Sequence, residues 1–179
     1  TFHLDPSKIK KKITKKTKAV LPVHLFGLPC DMTSILKIAR ENKLFIVEDA
    51  AQAFGAFYHG KPAGTLGDAG CFSFYPTKNF GAFGDGGMVV TSNSRLAEQL
   101  RLLRQYGSHV KYVHKLIGTN SRLDTLQAAI LSVKLKHLDA WNKLRESHAA
   151  FYAKELKNLP VQVPYVPEGR THIYHLYSI

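Results

Sequence analysis

The stretch from Gly70 to Thr91 constrains the fold more than any other part of this 179-residue chain. A short apolar run stops at Pro76, a lysine follows at Lys78, and a second apolar run begins at Met88. Four glycines lie between the lysine and the second run: Gly81, Gly84, Gly86 and Gly87. Two buried strands joined by such a loop would hold Lys78 at a sheet edge, where a constrained amine can act as a nucleophile. The pattern alone also allows an ordinary exposed loop lysine.

Composition predicts a soluble, globular chain in a reducing compartment. The sequence is 45% hydrophobic and has no apolar run approaching the length of a membrane span. Its two cysteines, Cys30 and Cys71, are far apart and form no C-x-x-C pattern, which favours the cytoplasm. The first residue is Thr1 and the end resembles a strand cut short, so we expect a fragment of a longer protein.

The formal charge of +12 raises the alternative of a nucleic-acid-binding module. Seven of the basic residues are lysines between Lys8 and Lys18, a run that is most simply a solvated helix and loop. The chain contains no zinc-finger or RNA-recognition signature. We therefore expect a positive field that serves anionic small molecules, with no nucleic acid and no membrane as partner.

The first half of the chain alternates strands and helices, which predicts an α/β fold with a mainly parallel sheet flanked by helices. A strand is expected over Ala19–Leu25, and a helix over Met32–Asn42 with Asp31 as its cap. The continuous apolar run Leu44–Val47 predicts a strand covered on both faces, and Asp49 follows directly after it. Polar groups at the carboxyl ends of parallel strands face the ligand crevice.

The second half predicts a hairpin, two helical regions and a domain boundary. Residues 54–67 are punctuated by glycine and indicate a turn or hairpin. One helix is expected to be capped by Ser94, and a long one to begin at Ser121 with a break near Trp141. Prolines then mark a linker, so we divide the chain into a large domain over 1–158 and the linker and start of a small domain over 159–179.

Asp49, Ser73 and Lys78 are all expected at strand ends on one edge of the sheet. A carboxylate there suits a metal ligand, a base, or the partner of a heteroaromatic nitrogen. Pyridoxal phosphate needs a lysine anchor and a carboxylate beside its ring nitrogen, and its phosphate needs a hydroxyl and backbone N–H groups. The chain has no G-x-x-x-x-G-K-[ST] or G-x-G-x-x-G loop, and His172-x-x-His175 is weak evidence for a metal, so no metal site is predicted.

Five segments, in order along nearly the whole chain, resemble the DegT/DnrJ/EryC1/StrS family of pyridoxal-phosphate-dependent sugar aminotransferases. They are Pro22–Gly27, Val47–Ala53, Phe72–Asn79, Gly84–Gly87 and Asn120–Ala129. The resemblance implies the type I aminotransferase fold. It also implies that this chain holds the later part of the large domain and the entry to a small α+β domain, with N- and C-terminal parts of the full fold missing.

The resemblance implies a role for each matching residue. Lys78 would anchor the cofactor covalently and move the proton, and Asp49 would pair with the pyridine nitrogen. Gln52 would lie against the ring near its hydroxyl, and Ser73 would bind the phosphate. Asn120 would reach the phosphate in the other subunit's site, which implies a homodimer with shared sites. Three histidines are candidates for the sugar-nucleotide side, although each has the alternative of a core or interface histidine: His24, His172 and His175.

The activity implied is transfer of an amino group, from glutamate, to a keto-deoxy sugar on a nucleotide carrier. The presence of Lys78 in place of histidine favours transamination over dehydration, and the loop 79–87 resembles members that act on 3-keto rather than 4-keto sugars. Such enzymes make amino sugars for surface polysaccharides or glycosylated metabolites. The alternative is a non-catalytic relative with a binding or regulatory role.

Overall fold

A computed structural model describes residues 2–110 and 112–179 and alternates helices with short strands. Two short 3₁₀ helices cover Lys10–Lys12 and Leu25–Gly27. The elements are, in chain order, α1 (Pro6–Ile9), β1 (Ala19–Val20), α2 (Met32–Glu41), β2 (Phe45–Asp49), β3 (Phe57–Tyr58), β4 (Lys61–Pro62), β5 (Ala69–Ser73), β6 (Gly87–Val90), α3 (Ser94–Leu103), β7 (Ser108–Val110), β8 (Val113–His114), α4 (Thr125–Leu135) and α5 (Leu138–Glu155).

The centre of the fold is a four-stranded sheet in the order β1-β2-β5-β6. β1, β2 and β5 run parallel, and β6 runs antiparallel to β5. The mainly parallel sheet predicted from the sequence is therefore confirmed. β3–β4 and β7–β8 form separate two-stranded hairpins, the first of them within the predicted hairpin region. Since β2 and β5 are parallel neighbours, their carboxyl ends lie at the same edge.

Helix α2 forms for the reasons that the sequence indicates. The Asp31 carboxylate accepts a hydrogen bond from the backbone N–H of Ser34 at 3.2 Å, which satisfies a free donor of the first turn. The apolar stripe of the helix is buried in one core cluster with Ile46 of β2: Met32, Ile35, Ile38 and Ala39. All seven lysines between Lys8 and Lys18 are exposed, as predicted for a solvated face.

The strand predicted over Ala19–Leu25 is much shorter in the structure. β1 ends at Val20, and only Val23 makes a further parallel bridge, to Asp49. The chain then turns, because Phe26 and Gly27 have φ values of 62° and 96°. A strand cannot continue through two residues in the left-handed region.

Helix boundaries in the second half also differ from expectation. The cap of α3 is Asn93, whose Oδ1 accepts from the Leu96 N–H at 3.1 Å, and Ser94 is the first helical residue. α4 begins after Asp124 rather than at Ser121. The long helix breaks at residues 136–137, a turn before Trp141. Among the described residues, no helix combines the length and apolar character needed to cross a membrane.

Residues 169–176 hydrogen-bond to earlier segments of the chain. The N–H of His59 donates to Gly169, and the N–H of Thr171 donates to Phe57. The N–H of Ile173 donates to the Gly27 carbonyl at 3.0 Å. This segment therefore contacts the predicted large domain directly, and the domain boundary at residue 159 stays a prediction.

Candidate active site

Asp49 and Ser73 are the last residues of two neighbouring parallel strands. In the register between these strands Asp49 lies opposite Cys71, two residues before Ser73. The structure thus places both predicted side chains at the carboxyl edge of the sheet. Burial, and then the Asp49 carboxylate, raise the pKa of the Cys71 thiol, so Cys71 is a neutral neighbour.

The Asp49 side chain is held by its own strand end. Its backbone N–H donates to Pro22 at 2.9 Å, and its carbonyl accepts from the N–H of His24 at 2.9 Å. The carboxylate Oδ1 accepts from the N–H of Ala51 at 3.0 Å. Within the described parts of the chain Oδ2 has no hydrogen-bond partner, which leaves one carboxylate oxygen for a ligand.

Directly beneath this edge lies a buried acid that sequence reasoning did not single out. The Glu48 carboxylate accepts from the backbone N–H groups of Gly64, Leu66 and Gly67 at 2.6–2.8 Å, and its Oε2 lies 2.8 Å from His24 Nε2. Burial raises the pKa of Glu48, but the hydrogen bonds from His24 and these amides outweigh burial and hold it below its usual value. Glu48 therefore remains a carboxylate, and it ties the 64–67 turn to β2.

His24 belongs to this buried network. Its side chain has no exposed surface. Its Nδ1 accepts from the Cys30 N–H at 3.1 Å, so Nε2 carries the hydrogen that it donates to Glu48. Both ring nitrogens are used and the ring is enclosed, which favours the alternative of a core histidine, and the substrate role stays a prediction.

Gln52 stabilises the turn at residues 25–27. Its Oε1 accepts from the backbone N–H of Phe26 at 2.6 Å, and Phe26 has positive φ. Within residues 2–110 and 112–179, Gln52 Nε2 has no hydrogen-bond partner. The carboxamide therefore has a free donor at the same strand edge, while its oxygen is already used.

The loop that carries Lys78 is anchored at several points. The N–H of Lys78 donates to Tyr75 at 2.9 Å, and Ser73 Oγ accepts from the N–H of Tyr75 at 3.2 Å. A Cβ atom at Gly81 would lie 2.6 Å from the Pro76 carbonyl oxygen, which explains the glycine. In the described parts of the chain, the Lys78 ammonium has no hydrogen bond or ion pair.

Helix α4 supports the far side of the same loop. Gln127 Oε1 accepts from the N–H of Phe83 at 2.8 Å, and Lys134 Nζ donates to the Gly81 carbonyl. Neither side chain was predicted to matter, because nothing in the local sequence indicates contacts across some fifty residues.

Asn79 connects the lysine loop to α5 and to the end of the chain. Its Nδ2 lies 3.0 Å from Asn142 Oδ1 and 3.0 Å from the Ile173 carbonyl oxygen. Its Oδ1 lies 3.3 Å from His175 Nδ1. The structure thus brings His175 to the residue next to Lys78. Sequence reasoning missed Asn79, although a buried amide beside a candidate nucleophile is a signal in retrospect.

His172 lies apart from His175, in a separate cleft. The ring is 6% exposed, stacks on Tyr174 at a centroid distance of 3.9 Å, and accepts from the Tyr174 N–H at 3.0 Å. Burial, and then the proximity of His3, lower the pKa of His172 from 6.5 to about 4. The cleft has a volume of about 340 Å³ and is also lined by Phe26 and Tyr165. The two histidines predicted for one ligand face therefore have different surroundings.

Asn120 is exposed, and the groove that it lines also includes Cys71, the β5 residue opposite Asp49. It makes an antiparallel bridge with Gln105, and its Oδ1 accepts from Arg122 Nε at 3.3 Å. It lines an open groove of about 1020 Å³ with Asp85 and Arg104. None of the hydrogen bonds in the described residues joins Asn120 to Lys78, so a role in another subunit's site stays a prediction.

Comparison with known proteins gives agreement along the whole chain. The model of the DegT/DnrJ/EryC1/StrS aminotransferase family matches residues 1–179. A dTDP-3-amino-3,6-dideoxy-alpha-D-galactopyranose transaminase from Aneurinibacillus thermoaerophilus is 52% identical over 179 residues, which cover 100% of this chain and 49% of the relative. A "pleiotropic regulatory protein" from Geobacillus stearothermophilus is 50% identical over 182 residues, with coverage of 100% and 49%.

A solved structure has the same fold. The crystal structure of S. venezuelae DesV in complex with a ketimine intermediate superposes with a TM-score of 0.94 at 50% identity, and covers 98% of this chain and 47% of DesV. The type I aminotransferase fold expected from the sequence is thereby confirmed. The chain spans about half the length of the curated relatives it matches.

Proposed function

The chain belongs to the DegT/DnrJ/EryC1/StrS aminotransferase family, and on that basis we propose that the protein is a pyridoxal-phosphate-dependent nucleotide-sugar aminotransferase. The observation that carries the proposal is the strand edge itself. Two neighbouring segments supply a set of groups that have no partner among the described residues, or one free atom, and a hydroxyl: Asp49 and Gln52 at the end of β2, and Ser73 and Lys78 at and after the end of β5.

These groups fit the cofactor by their chemistry. The cofactor supplies an electron sink and a carbonyl carbon that an amine can attack. Lys78 would bind it covalently and would hold and move the proton. Asp49 would keep the ring nitrogen protonated, the Gln52 amide would donate to the ring hydroxyl, and the Ser73 hydroxyl would donate to the phosphate. The cytoplasm is the proposed compartment.

The proposed substrates are a nucleotide-linked keto-deoxy sugar and glutamate as amino donor. The printed name of the Aneurinibacillus relative describes a 3-amino sugar on a dTDP carrier, which supports a 3-keto over a 4-keto substrate. The product would serve amino-sugar biosynthesis for a surface polysaccharide or a glycosylated metabolite. Asn120 would complete the phosphate site of a partner subunit in a homodimer.

The test is covalent trapping in the full-length protein. Incubation with pyridoxal phosphate should give a visible absorbance band, and borohydride should fix the cofactor on the peptide that contains Lys78. Lys134 is the matched control, because it is half-buried and donates to Gly81 in the same loop, and it should remain unlabelled. A label on another lysine would contradict the proposed role of Lys78. A protein that stays unlabelled would contradict the use of pyridoxal phosphate as cofactor.

A second candidate is a regulatory protein that keeps the fold without turnover. The name of the Geobacillus relative favours it, at 50% identity. The two candidates differ in a single experiment: a cofactor-loaded protein should lose its absorbance band on adding glutamate if it transaminates. A protein that binds the cofactor but leaves the band unchanged with every amino donor would be the regulatory form.

A further inference from the structure

The Asn79 carboxamide can have only one orientation. Its Nδ2 lies 3.0 Å from the Ile173 carbonyl oxygen, which accepts and never donates. The nitrogen must therefore face Ile173, and Oδ1 must face His175. Asn142 is fixed in the same way, because its Nδ2 lies 3.4 Å from the Phe54 carbonyl oxygen while its Oδ1 accepts from Asn79 at 3.0 Å.

This chain of amides determines which nitrogen of His175 carries the hydrogen. Asn79 Oδ1 can only accept, so His175 Nδ1 must donate across the 3.3 Å between them. Burial lowers the pKa of His175, and the positive charges of Lys78 and Arg145 lower it further. The ring is therefore neutral at pH 7. A neutral imidazole has one N–H, so the other nitrogen, Nε2, has a lone pair.

That lone pair is open. In the described part of the chain, His175 Nε2 has no hydrogen-bond partner. It is also not one of the unpaired polar atoms that are fully enclosed by protein. The ring is half-buried, so one side of it remains accessible. The Lys78 ammonium is likewise without a partner among residues 2–110 and 112–179, and it belongs to the residue next to Asn79. The two atoms are not hydrogen-bonded to each other in the structure, but the charge of Lys78 acts on the ring, and a change of rotamer of the long lysine side chain can bring its amine to Nε2.

We propose that His175 is a positioning residue for Lys78: Asn79 fixes it as the neutral Nδ1–H tautomer, and its Nε2 accepts a hydrogen bond from the Lys78 amine. A long lysine side chain has many rotamers, and an acceptor that is itself fixed selects among them. The ring orients the amine and does not store its proton, because its surroundings disfavour the imidazolium. The importance of this contact rests on the proposed function of Lys78, but its existence does not.

The tautomer is tested directly by ¹⁵N NMR on full-length protein labelled at histidine, with the His175 signals assigned by comparison with His175→Asn. The expected result at pH 7 is a pyrrole-type Nδ1 and a pyridine-type Nε2. An Nε2–H tautomer, or an imidazolium, would overturn the proposal. The tautomer is read from the unaltered chain, and if His175→Asn fails to fold, His175→Gln gives the same assignment.

The contact with Lys78 is tested by two opposite variants. His175→Asn keeps a donor near Nδ1 and removes the acceptor, whereas His175→Gln places an acceptor near Nε2. Cofactor is removed, the protein is pulsed with an acetylating reagent that reacts only with unprotonated amines, and acetylation of Lys78 is measured by mass spectrometry. His148→Asn, at an exposed position on α5, is the matched control.

His175→Asn removes the acceptor and should raise the rate of Lys78 acetylation about tenfold. The reason is that a hydrogen bond to the ammonium group favours the protonated, unreactive form of Lys78 by roughly that factor. His175→Gln and His148→Asn should remain close to wild type. Equal rates in the two His175 variants, whether fast or slow, would overturn the contact. The acetylation experiment is made on cofactor-free protein, so a failure here is separate from a failure of the borohydride experiment, which tests attachment of the cofactor.

Discussion

The Glu48 carboxylate lies 2.8 Å from the His24 ring, and neither side chain has any exposed surface. Every group around the carboxylate is a donor: the His24 Nε2–H and the backbone N–H groups of Gly64, Leu66 and Gly67. The next residue along the strand is Asp49. Asp49 is the proposed partner of the ring nitrogen. Its position is thus fixed by the neighbouring Glu48, a carboxylate whose two oxygens each accept two hydrogen bonds.

Replacing Glu48 by glutamine should strongly destabilise the protein. A glutamine side chain has one acceptor and one donor end, and whichever way it is turned its NH₂ group meets two of these donors. Breaking a buried charge network by removing one partner costs roughly 3–5 kcal/mol. Urea unfolding of the full-length Glu48→Gln protein should show a loss of that order.

The matched control is Glu41→Gln. Glu41 also has a basic partner, Lys10 Nζ at 2.7 Å, but this pair is exposed on the surface. We expect little change in its unfolding midpoint, because water screens such pairs. If Glu48→Gln and Glu41→Gln lost the same unfolding free energy, the buried network would contribute no more to stability than the exposed pair.

Replacing Asp49 by asparagine should slow turnover while leaving cofactor attachment possible. The amide removes the negative charge that keeps the ring nitrogen protonated, but it occupies the same space at the end of β2. A loss of roughly a thousandfold in kcat, about 4 kcal/mol of barrier, is expected. Asp68→Asn is the control, since the Asp68 carboxylate accepts from the Ile46 N–H at 2.7 Å and serves the sheet instead. Near wild-type turnover in Asp49→Asn would contradict the proposed pairing.

Asn120 gives a prediction about assembly. If it serves the partner's site, mixing inactive Lys78→Ala with inactive Asn120→Asp subunits should restore activity. One site of each mixed dimer carries both defects and the other carries neither. Equal mixing should therefore recover about one quarter of wild-type activity per chain, since half of the dimers are mixed and each has one intact site.

The same experiment needs two checks. Asn120→Asp must still form dimers, and the carboxylate must block binding of the phosphate by repulsion. Mixed dimers are counted by native mass spectrometry. Mixed dimers without recovered activity would mean that Asn120 acts within its own chain.

His172 predicts a loss of stability in mild acid. Its pKa is lowered by burial from 6.5 to about 4, so the unfolded state binds the proton first as pH falls. The unfolding free energy should decrease between those two values, by roughly 3 kcal/mol if the shift is fully expressed, and change little from this group outside them. His172→Asn keeps an acceptor for the Tyr174 N–H and should flatten the pH profile. Part of the slope should remain, because burial also lowers the pKa of His3 to about 4.

The control for this profile is His148→Asn, whose exposed ring should leave the slope unchanged. Unfolding is followed by urea titration at several pH values on the full-length protein. A wild-type protein that is equally stable across the whole window would contradict the assignment of His172 as a buried neutral base.

The parts of the fold that were predictable depend on contacts between near neighbours. The α2 cap at Asp31 and its apolar stripe are determined within ten residues or so, and both were confirmed. The β2 strand was also found, but Phe45 is exposed, so the predicted cover on both faces was not. The cap of α3 was misplaced by one residue, because Asn93 and Ser94 are both good caps and only the Leu96 hydrogen bond distinguishes them. The turn at Phe26 was missed, because its positive φ is stabilised by Gln52, 26 residues away.

In the candidate site, too, residues could be predicted only where the nearby sequence indicates them. Lys78, Asp49 and Ser73 were identified from the ends of apolar runs and from the resemblance to a family. Asn79, Glu48 and Asn142 were not, because their partners lie between 16 and 96 residues away and no local pattern indicates them. For His24 the sequence left a ligand-side role and a core histidine open, since sequence alone does not distinguish the two, and its burial in the structure favours the second.

The hydrogen bonds of Asn79 have a consequence for the order in which the protein is made. Its carbonyl and histidine partners, Ile173 and His175, lie 94 and 96 residues later in the chain. During synthesis the sheet, α2 and the Glu48 network can assemble as soon as Gly87–Val90 has left the ribosome. The contacts of Asn79 with Ile173 and His175 must wait until those residues are made, 83 and 85 residues after Val90. A ribosome-bound chain can therefore have a formed sheet before the contacts that tie Asn79, the residue after Lys78, to the end of the chain exist.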